Sequence, residues 1–146
     1  MRYTGSFQVA APKSQVYAFL TDPRRVTTLF PDVSNVRIID ENNVFLKAKV
    51  GMSFIRGTLD VKLMLSEKIE PTHAKLTAHG TGLSSAVDLE SSFDIEDAAG
   101  GGSVITWAAD ARIGGLMASV GSRLIDSAAG KYIKEIVDSL QKEISR

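Results

Sequence analysis

The last fifth of the chain, Gly114 to Arg146, constrains the fold more than any other stretch. Every fourth residue from Leu116 is uncharged: Leu116, Val120, Leu124, Ala128, Tyr132, Ile136, Leu140, Ile144. A neighbouring row, Met117, Gly121, Ile125, Ala129, Ile133, Val137, is equally free of charge. The charged residues Arg123, Asp126, Lys131, Lys134, Glu135, Asp138, Lys142 and Glu143 fall outside both rows. The pattern predicts one long amphipathic helix over this stretch. Four residues turn an α-helix by about 400°, so a row of strict period four advances by about 40° per step and winds around the axis. A winding stripe suits a twisted, curved sheet better than a straight partner helix. The rest of the chain is expected to supply that sheet.

It does so by alternation. Tyr3, Gly5, Phe7 and Val9 share one face of a first strand. Ala11-Pro12 opens a short helix carrying Val16, Tyr17, Phe19 and Leu20, and Asp22-Pro23 opens a second that runs to about Thr28. From Val33 onward strands follow one another. Glu41-Asn42-Asn43 and Pro71-Thr72 are turns, and Gly51, Gly80-Thr-Gly82 and the run Ala98 to Gly102 punctuate. Val44, Leu46, Ala48 and Val50 alternate with polar or exposed positions, as do Leu59, Val61, Leu63 and Leu65, and Ala74, Leu76 and Ala78. The clearest run sets Val87, Leu89, Ser91, Phe93 and Ile95 against Asp88, Glu90, Ser92 and Asp94. Ile105, Trp107, Ala109, Ala111 and Ile113 oppose Thr106, Asp110 and Arg112. One strand, two short helices, six strands on short turns and a long helix make an α+β fold. Its expected form is a curved seven-stranded antiparallel sheet with the long helix across its concave face. No repeat or linker divides residues 1–146, so a single domain is expected.

Composition removes several classes of function. Seventeen basic residues balance seventeen acidic ones, which leaves no net field for nucleic acid or an anionic membrane. The chain has no cysteine, hence no disulfide, thiolate metal site or cysteine nucleophile, and a cytoplasmic location is expected. The N-terminus lacks a signal-peptide core, and no apolar run approaches the roughly 18 residues of a membrane span.

Several stretches resemble a known family. They are Gly5-Ser-Phe-Gln-Val-Ala-Ala-Pro12, Val16-Tyr-Ala-Phe-Leu-Thr-Asp-Pro23, Ala48-Lys-Val-Gly51 and Phe54-Ile-Arg-Gly57. The most specific is Ala111-Arg-Ile-Gly-Gly-Leu-Met-Ala-Ser-Val-Gly-Ser-Arg-Leu-Ile125. Together with the element order they resemble the CoxG-like family of carbon monoxide dehydrogenase subunits. That family lies within the helix-grip superfamily of START-like lipid-transfer proteins, pollen allergens and polyketide cyclases. The resemblance implies a non-enzymatic accessory protein that holds a lipid or quinone-like ligand. It also implies association with molybdenum-dependent carbon monoxide dehydrogenase subunits and, at most, a peripheral place at the inner face of the membrane. No cofactor or metal is implied.

Small residues at Ala109, Ala111, Ala118, Gly121, Ala128 and Ala129 suggest a cavity under residues 116–128. Its expected lining is Phe19, Phe30, Leu63, Trp107, Ile113, Leu116, Val120, Gly121 and Leu124. The alternative is that small residues only let helix and sheet approach closely. An enzyme of the cyclase or aromatase kind needs inward acids and bases. Yet His79, Asp88, Glu90 and Asp94 fall on the outer face by parity, and His73 sits beside a turn. Ser91 points inward and is expected to bond a water or a backbone group. Lys47, Lys49, Arg56 and Lys62 form an outer basic strip beside Phe45, expected to be a solvated face, with docking to an acidic partner as the alternative. Arg123 is expected to pair with Asp126 or Asp110. An assembly factor with an incidental cavity is the third reading.

Overall fold

Period-two alternation becomes a single seven-stranded antiparallel sheet in the computed structural model, which describes residues 1–144. The strands are β1 (Arg2–Val9), β2 (Val33–Ile38), β3 (Asn43–Met52), β4 (Ile55–Ile69), β5 (His73–Gly82), β6 (Ser85–Asp97) and β7 (Ser103–Gly115). Their order across the sheet is β1-β7-β6-β5-β4-β3-β2, so β2 to β7 form a meander and β1 closes against β7. Between the two edge strands the chain makes α1 (Lys13–Leu20), α2 (Pro23–Val26) and one 3-10 turn at Thr27–Leu29. The Asp22 carboxylate caps α2 by accepting from the Arg24 backbone N–H at 3.0 Å, with Pro23 behind it.

The outer face carries charge in cross-strand pairs. Arg2–Asp110, Lys47–Asp60, Lys75–Glu90, His79–Asp88 and His73–Asp94 all join neighbouring strands. The side chains of these pairs are mostly solvated, so each contributes little stability; their role is to keep this face wet. Lys47 thus belongs to an ion pair, while Lys62 and Arg37 lie over the Phe45 ring. Two register shifts, between Ser34 and Arg37 on β2 and between Ser66 and Ile69 on β4, interrupt the ladder and bend those strands.

The inner face packs into three apolar clusters. The largest joins Val9, Val16, Phe19, Leu29, Ala74, Ile95 and Ile105 to the C-terminal turns of the long helix. A second gathers Val44, Leu46 and Leu63. A third, at the other end of the sheet, holds Ile55, Leu59 and Met117.

The long helix, α3, spans Ser122–Ile144, eight residues later than the expected start at Gly114. The last two residues of the expected helix lie outside the described ones. Residues 114–115 finish β7, and Leu116–Val120 form a 3-10 turn bracketed by Gly115 and Gly121, whose φ angles are +79° and +93°. Those two backbone conformations break the helix that the side-chain pattern alone favours, because they lie in the region that β-carbon-bearing residues avoid. The stripe that reaches the interior is therefore Ile125, Ala129, Ile133, Ile136, Leu140, Ile144. One step of three among steps of four removes part of the winding that a strict period of four imposes. Leu124 belongs to the other row and is 45% exposed, whereas Leu140 is 2% exposed. Leu140→Ala should lower unfolding free energy by about 2–5 kcal/mol, and Leu124→Ala by no more than about 0.5 kcal/mol, measured from denaturant midpoints.

Candidate functional site

Between α3 and the concave face the side chains do not meet everywhere, and a cavity of about 410 Å³ remains. Its volume falls within the range of about 300–1,000 Å³ typical of small-molecule pockets. The floor is dished by residue size. In register across the sheet, Leu63, Ala78, Leu89 and Ala111 form one inward row, and Leu65, Leu76, Ser91, Ala109 and Tyr3 form the next. Small residues thus sit mid-sheet on β5 and β7, with Trp107 and Ile105 rising toward one end. The roof is the middle of α3: Ala129, Tyr132, Ile133, Ile136, Val137 and Leu140. Leu20, Val26, Leu29, Phe30 and Val33 form a wall from the α1-to-β2 segment.

None of the lining side chains is charged, and those that carry a hydroxyl or N–H are Tyr3, Ser91, Ser92, Trp107 and Tyr132. Two of these are engaged. Ser91 Oγ donates to the Leu76 carbonyl at 2.8 Å, the backbone member of the two partners expected for it, a water or a backbone group. Tyr3 Oη donates to Asp126 Oδ1 at 2.7 Å and ties β1 to the first turns of α3. Burial first, then the bond to Asp126 and its negative charge, push the Tyr3 hydroxyl up to about 12. Burial, with the charges of Asp32 and Glu135 adding, pushes Tyr132 to about 12 as well. Arg123 pairs with neither expected carboxylate: Asp126 accepts from Tyr3, and Asp110 holds Arg2 at 2.8 Å.

Phe30, Leu63 and Trp107 line this space. The other expected residues do not, because the cavity lies under residues 129–140 rather than under 116–128. Phe19 is buried in the largest cluster, with the Arg25 guanidinium 4.5 Å from its ring centre. Ile113 and Val120 pack on the third cluster around Met117. Leu116 and Leu124 are exposed, and a β-carbon at Gly121 would meet nothing within 4 Å. The late start of α3 accounts for Leu116, Val120, Gly121 and Leu124, whereas Phe19 on α1 and Ile113 on β7 are drawn into neighbouring apolar clusters. Tyr3, Leu76, Phe93, Ala129 and Tyr132 were missed. For the strand residues the signal lies in register, which sets Ala78 and Gly80 of β5 and Ala109 and Ala111 of β7 on either side of β6 only once the strands are paired.

Trp107 owes its position to Gly5, its partner across β1 and β7. A β-carbon at Gly5 would lie 2.6 Å from Trp107 Cζ2 and 2.8 Å from Nε1, so the indole lies directly over the bare backbone. Outside the cavity, a shallow depression of about 560 Å³ on the outer face is bordered by Lys62, His79, Asp88, Glu90 and Arg112. The cross-strand pairing of His79 with Asp88 and of Lys75 with Glu90 makes it part of the solvated face. Among the described residues, no group of three or more His, Asp or Glu is placed to hold a metal ion.

A sequence profile of CoxG, the family of carbon monoxide dehydrogenase subunits of that name, matches residues 5–145. The chain belongs to the CoxG family. Solved structures agree on the fold. A conserved protein from Geobacillus kaustophilus superposes with a TM-score of 0.90 at 23% identity, over 99% of this chain and 95% of that one. A START superfamily protein from Mycobacterium smegmatis gives 0.72 at 11% identity, over 99% and 97% of the two chains. No curated protein sequence matches the chain. In this CoxG family member, as in its START-like neighbour, the helix-grip architecture is the shared element.

Two outcomes follow from the site geometry. Gly5→Ala should push the indole toward the cavity, costing about 1–3 kcal/mol and shifting the emission of Trp107, the only tryptophan. Tyr3, Tyr17 and Tyr132 are the only tyrosines, and burial raises all three above the usual 10. A group whose folded pKa is raised stabilises the fold fully below its unfolded pKa and loses that contribution as pH rises through the folded one. Stability should therefore fall as pH rises from 10 through about 12, with tyrosinate absorbance of the folded protein rising later than that of the unfolded chain.

Proposed function

We propose that this chain is a non-enzymatic accessory protein that holds a hydrophobic ligand, a lipid or quinone-like molecule, between the sheet and α3. The observation that carries the reading is the cavity of about 410 Å³ without a charged side chain in its lining. Such a lining favours transfer of apolar surface out of water and offers an ionised group nothing to pair with. Membership of the CoxG family supports a place beside a molybdenum-dependent carbon monoxide dehydrogenase-type complex. The START-like fold supports ligand holding as the task performed there. A cyclase needs an inward acid or base. The cavity offers two tyrosines and two serines, and both histidines pair with aspartates on the outer face, which favours the carrier reading. No helix among the described residues is long and apolar enough to cross a membrane, and in this reading contact with the inner membrane face is peripheral.

Titration with a short-chain menaquinone analogue tests it. Trp107 lies in the wall, so its fluorescence should be quenched, and the melting temperature should rise as ligand binds the folded state alone. Saturating analogue that produces neither effect would sink the reading for quinone-like ligands. The same negative result with a neutral lipid would sink it altogether.

A further inference from the structure

The cavity lining is uncharged but carries hydrogen-bond donors. It contains three hydrogen-bond donors with no partner among the described residues: the Tyr132 hydroxyl on α3, the Trp107 indole N–H on β7 and the Ser92 hydroxyl on β6, of which Ser92 alternates with the inward Ser91 and so falls on the outer face by parity. The other tyrosine in the lining, Tyr3, already donates to Asp126, and Ser91 already donates to a backbone carbonyl. Tyr132 combines two features that are at odds for a surface residue. It is 39% accessible, yet burial is the first cause of the rise in its hydroxyl pKa. Both hold if the accessible part of the ring faces the cavity rather than bulk water. A phenol held neutral in such a place donates one strong hydrogen bond and accepts weakly.

From this lining we infer that the cavity takes an uncharged ligand bearing a carbonyl or ether oxygen, which accepts a hydrogen bond from Tyr132, and that it rejects the carboxylate of equal length. The inference rests on the ligand-holding reading above and narrows it. An indole N–H can only donate, so Trp107 offers no acceptor to a ligand's own donor group. An ionised carboxylate drawn into the same space would lose its hydration with no cation in the lining to replace it. Lys49, Arg56 and Arg123 are not among the lining residues, so they do not supply one. Asp32 and Glu135 bear on Tyr132 with negative charge, which further disfavours an anion at that end.

The test uses the whole protein and the neutral fluorescent probe N-phenyl-1-naphthylamine, displaced at pH 8 by three competitors of one chain length: undecane, 2-undecanone and undecanoate. The ketone should compete about three- to tenfold better than the alkane, the usual net gain of one hydrogen bond. Undecanoate should compete at least about tenfold worse than the ketone. Tyr132→Phe keeps the ring, and it should abolish the ketone's advantage while leaving undecane displacement unchanged. A probe that does not bind at all would overturn the ligand-holding reading and this inference with it. A probe that binds, but is displaced equally well by undecanoate and undecanone, overturns this inference alone. So does a ketone advantage that survives in the Tyr132→Phe protein. The ranking of the three competitors on the parent protein needs no variant, so the inference remains testable if the substitution impairs folding.

Discussion

The structure depends on a mismatch of size between the two surfaces that α3 and the sheet present to each other. Large side chains meet at the ends. Leu140 and Ile144 pack with Ile95, Ile105 and the short helices at one end, and Met117 packs with Ile55 and Leu59 at the other. In between, Ala78, Gly80, Ala109, Ala111 and Ala129 are too short to bridge the gap. The clusters act as pillars, and the apolar contacts that stabilise the fold are concentrated there. The middle is left open because both of its ends are already fixed. Collapse of the helix onto the alanines would have to pull those clusters apart.

The same arrangement explains why the interior can be open without being wet and polar. The backbone groups of the floor are engaged in the sheet ladder, and Ser91 is tied to the Leu76 carbonyl. On the sheet, charge is confined to the outer face, where strand parity puts Lys47, Asp60, His79, Asp88, Lys75 and Glu90 in cross-strand pairs. One sheet thereby separates a solvated charged surface from a dry apolar one, the usual division for an antiparallel sheet covered on one side. The Tyr3–Asp126 bond is a polar link between sheet and helix near the cavity, and it fixes where the first turns of α3 sit over β1.

Much of this was legible in the residues. Alternation in β6 and β7 assigned the inward faces correctly, including Ser91, and parity put His79 and the carboxylates outside. Asp22-Pro23 marked a helix start by a capping interaction that the structure contains. The start of α3 was not legible, because periodicity reports which residues are apolar and not which backbone conformation carries them. Leu116 and Val120 fit the helical row, yet Gly115 and Gly121 adopt positive φ and interrupt it. That one difference shifts the cavity along α3 and leaves Leu116, Val120, Gly121 and Leu124 outside its lining.

By itself the sequence determined the α+β class, the antiparallel strands, the apolar face of each and the presence of a long covering helix. These follow from local periodicity, and each is readable one segment at a time. Tertiary structure alone decided where empty space lies. A cavity is a property of the pairing of strands, of the row of small residues that register brings together, and of where a helix begins above them. It also decided which polar groups remain unengaged: Tyr3 and Tyr132 are the same residue type, but only the first hydrogen-bonds a carboxylate. Such differences arise from contacts between residues over a hundred positions apart, as Tyr3 and Asp126 are, and no pattern confined to one segment records them.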